Sequence, residues 1–338
     1  MQSQDISSLS KWDKFRKLLV ATRPNFLVLP IALVTLGFSI AFENGYSWNW
    51  PAFVMTLVGA IFAHAWVNLH NEITDSKNKL DAKTPKTPFS GGTGTFVLIP
   101  SLLPLANQAL LALFGILMVI LMAFTWLYGI ELFFLAFIGG ILMLSYSRWL
   151  VHRPWLCWAS AGLAFGPLMV LSAFWIASQT FTVESFVLSF VVFFWVNNLL
   201  LLNQVPDYFA DQTVGRKNLV IKYGLKNALW FYSAGAFLSL CCLWSMAIQG
   251  QTYGWIFISF IWSAFIIWQI RQVFSTYHQM SDEFKMAFER KISDLNLNSL
   301  PEHIATHTFE DWHRVLGINV AINILIPLSL SALLILGS

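Results

Sequence analysis

Runs of about 20 apolar residues recur along the whole of this chain, and that length is what crossing a hydrocarbon core of about 30 Å requires. The composition agrees. Of 338 residues, 57% are hydrophobic and 11% charged, whereas soluble domains carry about 25% charged residues. A water-soluble fold with this much apolar surface would expose patches that aggregate. The chain therefore reads as all-α and polytopic, a membrane protein with helices gathered in a single bundle around a central cavity.

The first residues, MQSQDISSLSKWDKFRKLLV, are polar and then basic, with no small-residue cleavage site. Residues 1–24 read as a cytoplasmic tail with an interfacial helix that turns Trp12, Phe15, Leu18 and Leu19 toward lipid. The region 25–338 is then the membrane domain. Cys157, Cys241 and Cys242 fall in apolar segments, where spacing suits buried thiols rather than a disulfide or zinc site.

Nine spans are expected at about 25–43, 52–71, 106–125, 128–146, 156–177, 184–204, 227–248, 253–273 and 315–336. Trp and Tyr cluster near many of their ends, as interfacial anchors do. Alternate loops hold all 20 Lys and Arg residues. They lie in the tail (Lys11 to Arg23), after span two (Lys77 to Lys86), after span four (Arg148, Arg153), after span six (Arg216 to Lys226), and around the loop 275–312 (Arg271 to Arg314). By the positive-inside rule this side is cytoplasmic, with the N-terminus inside and the C-terminus outside. A missed or invented span would scramble the partition, so it also supports the count.

Two acidic segments lie on the cytoplasmic side. The second span runs into NEITDSKNKLDAKTPKTPFSGGTG, and continuing its helix places Asn68, Asn71 and Asp75 on one face, flanked by His64 and Glu72. Asp81, Lys83 and Lys86 follow. The sixth span runs into NQVPDYFADQTVGRKN, where Asn203, Asp207 and Asp211 are spaced by four and Pro206 kinks or ends the helix. One acidic residue at a span end is usually a solvated helix terminus. Two clusters with matching amide and carboxylate layout are another matter, because polar groups at membrane depth are expensive. Carboxylates grouped with Asn suit Mg²⁺, which takes one or two of them and completes its shell with water and phosphate oxygens. Neighbouring cations suit the rest of a phosphate's charge. The combination points to a lipid diphosphate.

At these segments the chain resembles the UbiA-type family of intramembrane aromatic prenyltransferases. That family carries N-D-x-x-D followed by another Asp, and D-x-x-x-D followed by G-K/R. Asn71, Asp75 and Asp81 match the first motif, with Glu72 in place of the usual first Asp. Asp207, Asp211, Gly215 and Lys217 match the second without a gap. Arg23-Pro24, Tyr146-Ser147 and the stretch from Gly162 to Pro167 extend the likeness. The spacing from Asp75 to Asp81 is similar to the 1,4-dihydroxy-2-naphthoate branch.

The resemblance implies Mg²⁺-dependent transfer of a polyprenyl group from a polyprenyl diphosphate to an aromatic acceptor. Asp75, Asp81, Asp207 and Asp211 are then the catalytic carboxylates, and Asn71 and Glu72 join Asp75, Asp207 and Asp211 as metal ligands. Lys83, Lys86, Arg148 and Lys217 are the candidates for the diphosphate, although Arg148 serves equally as an interfacial cation. Asn68, Asn203 and Tyr146 would orient the acceptor or complete the metal shell. Dihydroxynaphthoate is the favoured acceptor; 4-hydroxybenzoate, homogentisate, a chlorophyll precursor, haem and a non-aromatic acceptor stay open. The expected partners are the two substrates and the lipid bilayer, with no nucleic acid, and the expected location is a bacterial inner membrane. His303 and His307, four apart in a hydrophilic stretch, read as part of an ordinary loop with short helices. The rival reading is an ion-coupled transporter, since carboxylates on broken helices also bind coupling ions. Against it, the acids sit at span ends and bring basic residues with them.

Overall fold

The apolar runs fold as helices because the backbone must satisfy its own hydrogen bonds wherever no water is available. The structure, a computed structural model, describes residues 9–80, 84, 91–249, 253–288 and 302–337, without the side chains of 283, 284, 287 and 302–311. Helices are α1 (Lys11–Ala21), α2 (Val28–Glu43), α3 (Trp50–Lys77), α4 (Leu103–Tyr128), α5 (Ile130–Ser145), α6 (Pro154–Ser178) and α7 (Val183–Asn203). They continue with α8 (Tyr208–Thr213), α9 (Leu219–Tyr223), α10 (Leu225–Gln249), α11 (Tyr253–Gln279), α12 (Asp282–Ala287) and α13 (Glu302–Gly337). No strand occurs among the described residues.

Eight of the expected spans are matched by helices long and apolar enough to cross a membrane. The chain is an integral, multi-pass membrane protein. The expected fourth span is the shorter α5, whose 16 residues reach about 24 Å at 1.5 Å per residue. At the other extreme, the 28 residues of α3 extend about 42 Å, well beyond a hydrocarbon core of about 30 Å. The surplus carries the first acidic segment. The final span begins within α13, a helix that already runs from Glu302 through part of the expected loop 275–312. His303 and His307 lie outside the described side chains.

The most buried spans are α7 and α2, and the least buried is α4. Helix α7 packs against α10, α6 and α13, and α2 against α13, α3 and the end of α6. Close approach of α6 to α7 depends on small residues. An added Cβ at Gly166 would lie 2.5 Å from the Ser189 carbonyl oxygen, and one at Gly162 would lie 2.4 Å from that of Phe193. Gly162 N–H also donates to Asn197 Oδ1 at 2.7 Å. Around this contact α6 widens into a π-helical stretch over Ala164–Val170 that contains Pro167, whose missing N–H breaks the regular ladder. A second polar tie joins three helices. Asn198 Nδ2 donates to the Tyr232 carbonyl at 2.9 Å, Tyr232 Oη to Asn319 Oδ1 at 3.2 Å, and Asn319 Nδ2 to the Asn198 carbonyl at 3.2 Å.

Helix α1 starts at Ser10, whose hydroxyl accepts from Asp13 N. Trp12, Phe15 and Leu19 are exposed, but Leu18 is not. It packs beside Leu69, Ile73, Phe96 and Leu102, so α1 lies against the end of α3.

Candidate active site

The apolar positions Leu69 and Ile73 press one face of α3 into that cluster, which leaves Asn68, Asn71, Glu72 and Asp75 on other faces. Asn68 is buried and donates to the Thr22 carbonyl at 2.9 Å, a tie between α3 and the end of α1. Asn71 accepts from the Ser147 hydroxyl, just beyond α5. Glu72 is fully buried and accepts from Arg23 at 3.1 Å and from Thr93. Asp75, nearly buried, accepts from Arg216.

The helix of the second segment breaks near Pro206, as expected. Pro206 ends α7, residues 204–207 form a turn, and the chain resumes as α8. The turn still keeps Asn203, Asp207 and Asp211 together, since all three line one small cavity of about 70 Å³ with Tyr146, Cys157 and Gln204. Gly215, in the left-handed region (φ 74°), then reverses the chain. That conformation costs glycine little, and it brings Arg216 back over α8, where its N–H donates to the Asp211 carbonyl at 3.1 Å. The guanidinium meets Asp211 Oδ1 at 3.1 Å and, with its other nitrogen, Asp75 Oδ1. Asn218 Nδ2 donates to Asp211 Oδ2 at 3.0 Å. One arginine thus joins Asp211, five positions before it, to Asp75, 141 positions before it.

Burial, followed by the Asp211 charge, holds the Asp207 carboxyl well above the usual carboxylate range. Burial also pushes Asp211 up to about 6, with Asp75 adding to the effect and Arg216 opposing it. Burial works against the Arg216 charge, but the facing carboxylates more than offset it and keep the guanidinium protonated. Two buried acceptors of this segment, Asn203 Oδ1 and Asp207 Oδ1, have no hydrogen-bond partner among the described residues.

These features fit Mg²⁺. Orphaned oxygens beside carboxylates that burial disfavours as anions provide an environment that a hard cation relieves. No group of three His, Cys, Asp or Glu side chains closes into a protein-only metal cage among the described residues. Mg²⁺ needs none, because water and substrate phosphate fill most of its shell.

Not every expected site residue is brought here. Asp81, Lys83 and Lys86 lie outside the described residues. Arg148 is exposed and absent from the cavity lining, as is Lys217, whose backbone N–H donates to Val151. A cation that does reach the site, Arg216, enters the sequence reading only among the basic residues after span six. Its position directly after the glycine was the available signal.

The model of the UbiA prenyltransferase family matches residues 31–295. The chain belongs to the UbiA prenyltransferase family. It is accordingly a prenyltransferase. It is 27% identical over 226 residues to the 2-carboxy-1,4-naphthoquinone phytyltransferase of Synechocystis, covering 62% of this chain and 67% of that one. It is 25% identical over 257 residues to the 1,4-dihydroxy-2-naphthoate octaprenyltransferase of Bacillus subtilis, covering 71% and 76% respectively. These relatives agree with the branch that the first motif suggested. The fold matches that of a UbiA homologue from Archaeoglobus fulgidus bound to DMAPP and Mg²⁺, with a TM-score of 0.59 and 16% identity over 92% of this chain and 99% of that one.

Proposed function

We propose that this prenyltransferase moves a polyprenyl group from its diphosphate to an aromatic acceptor of the dihydroxynaphthoate class, at the cytoplasmic end of a nine-span bundle. The observation that carries the reading is the meeting of the two acidic segments at Arg216, which lines one cavity with Asp207 and Asp211. The relatives that act on naphthoates support the acceptor class. Asp75, Asp207 and Asp211, with the free oxygen of Asn203, would hold Mg²⁺, and Asp81 remains a proposed member of the set. Bound Mg²⁺ supplies positive charge that stabilises the departing diphosphate. Arg216 adds a fixed cation at the same place and, being largely buried, acts where water screens it least. Lys83, Lys86, Lys217 and Arg148 are the candidates for the outer phosphate oxygens as the substrate settles. Tyr146 lines the cavity and is suited to orient the acceptor ring.

The test is product formation by the purified chain in lipid, given geranylgeranyl diphosphate, Mg²⁺ and a panel of aromatic acceptors, with products identified by mass. An Mg²⁺-dependent prenylated naphthoate supports the proposal, and turnover confined to another acceptor would redirect it. The transporter reading has no comparable support, since it does not account for the arginine that closes the two segments together.

Replacing Arg216 by Gln should lower kcat/KM by about 100-fold, the scale of removing one preorganised electrostatic contact. Arg216→Lys should recover only part of this, because an ammonium on a flexible stem cannot span two carboxylates as the planar guanidinium does. Steady-state kinetics of the two variants would check the order.

A further inference from the structure

We propose that Glu72 is a positioning residue that clasps the two chain segments flanking the first acidic helix, and is not a metal ligand. The proposal rests on the prenyltransferase reading and reassigns one residue of its expected metal set.

An ionised carboxylate offers about four acceptor directions, and those of Glu72 are taken. Oε1 accepts from Thr93 N at 2.9 Å and from the Thr93 hydroxyl. Oε2 accepts from Thr93 N at 3.0 Å and from Arg23 Nη2 at 3.1 Å. The side chain is wholly buried, so turning it toward a metal would break its contacts with the Thr93 N–H and hydroxyl and with the Arg23 guanidinium together. Asp75, by contrast, meets the cavity-lining Arg216, and Asp207 keeps an oxygen free in the cavity wall.

Both partners of Glu72 lie at points where the backbone needs holding. Arg23 precedes α2 in a left-handed conformation (φ 53°, ψ 66°), which a side chain adopts only when its surroundings enforce it. Thr93 lies in a turn whose glycines 91, 92 and 94 all have positive φ. Its hydroxyl also accepts from Thr95 N, at the start of the short helix Thr95–Leu98. The clasp therefore joins the entry to α2, the acidic end of α3 and the return of the loop that follows it. Asp75 lies three residues further along α3, so the same contacts fix the turn that aims it at Arg216. The residue type fits this task. Aspartate, one methylene shorter, would fall short of Thr93, whereas glutamate reaches it.

The experiment measures two quantities on the full chain in lipid. One is Mn²⁺ affinity, with inorganic pyrophosphate present, by electron paramagnetic resonance of free Mn²⁺. The other is the KM for geranylgeranyl diphosphate. The variants are Glu72→Gln, Glu72→Asp and Thr93→Val, with Asp75→Asn as the metal-site control. Both Glu72 variants should keep Mn²⁺ affinity within about twofold while raising KM, with Glu72→Asp the more impaired at about tenfold or more, as misplacement of a positioned group predicts. Thr93→Val removes the hydroxyl donor from the other side and should raise KM in the same way. It decides the matter if the Glu72 variants do not fold. Loss of Mn²⁺ affinity in Glu72→Gln matching that in Asp75→Asn, wild-type behaviour of Glu72→Asp, or an unchanged KM in folded Thr93→Val would each overturn the clasp. Unchanged Mn²⁺ affinity in Asp75→Asn would count against the metal site itself, leaving the KM ordering to judge Glu72.

Discussion

Asp211→Asn should lower kcat/KM by about 1,000-fold, at the upper end for loss of one charge-stabilising group in a preorganised site. The expectation comes from three contacts at one carboxylate. Asp211 faces the cavity, receives Arg216 at 3.1 Å and is steadied by Asn218 at 3.0 Å. Asparagine keeps the shape and still offers an acceptor to one donor, so α8 should remain in place. What it loses is the negative charge that a divalent cation requires. The deficit should therefore persist at saturating Mg²⁺ and appear in the chemical step. Single-turnover kinetics, with helical content followed in parallel, would check it. A loss that high Mg²⁺ restores in full would instead assign Asp211 a weaker, purely binding role.

The second large effect concerns packing. Gly166→Leu should abolish the folded protein or lower its stability by about 3 kcal/mol or more, the severe end of overpacking. Even the first carbon of the new side chain would lie 2.5 Å from the Ser189 carbonyl and 2.7 Å from Phe193 N. Both obstacles are backbone, so no rotamer change relieves them and α6 must separate from α7. Helix α6 brings Cys157 to the cavity and α7 brings Asn203, so any protein that does fold should also lose activity. Thermal unfolding in detergent would measure the first effect. Gly140→Leu is a matched control in the neighbouring helix, since an added Cβ there meets nothing within 4 Å.

The helices were legible because lipid imposes a length on every apolar run, and the charge partition indexed them. Their ends were less legible. Helix α11 runs on to Gln279, past the expected 273, because polar residues continue a helix once it leaves the hydrocarbon and hydropathy no longer marks it. Pro206 was read correctly as a break, but sequence spacing could not say that the turn after it would keep Asn203, Asp207 and Asp211 on one cavity. The carboxylates were legible as a pattern of type and spacing. The cation that joins them was not, because the pairing of Arg216 with Asp75 exists only after α3 and α8 have been brought together. Lys217, its neighbour in sequence, is exposed instead. Likewise Glu72 looked like a ligand by position, and only its contacts with Arg23 and Thr93 reveal another use for the longer side chain.

The central claim is that the two acidic segments form one metal-dependent diphosphate site. Titration calorimetry of an unreactive thio analogue of the prenyl diphosphate, with and without Mg²⁺, tests it most directly. Wild type, Asp75→Asn, Asp211→Asn and the double variant complete a thermodynamic cycle. The account predicts Mg²⁺-dependent binding, weakened by each substitution, with the double variant better than additive by about 0.5–3 kcal/mol, as groups sharing one site behave. Binding that ignores Mg²⁺, or two losses that simply add, would contradict it.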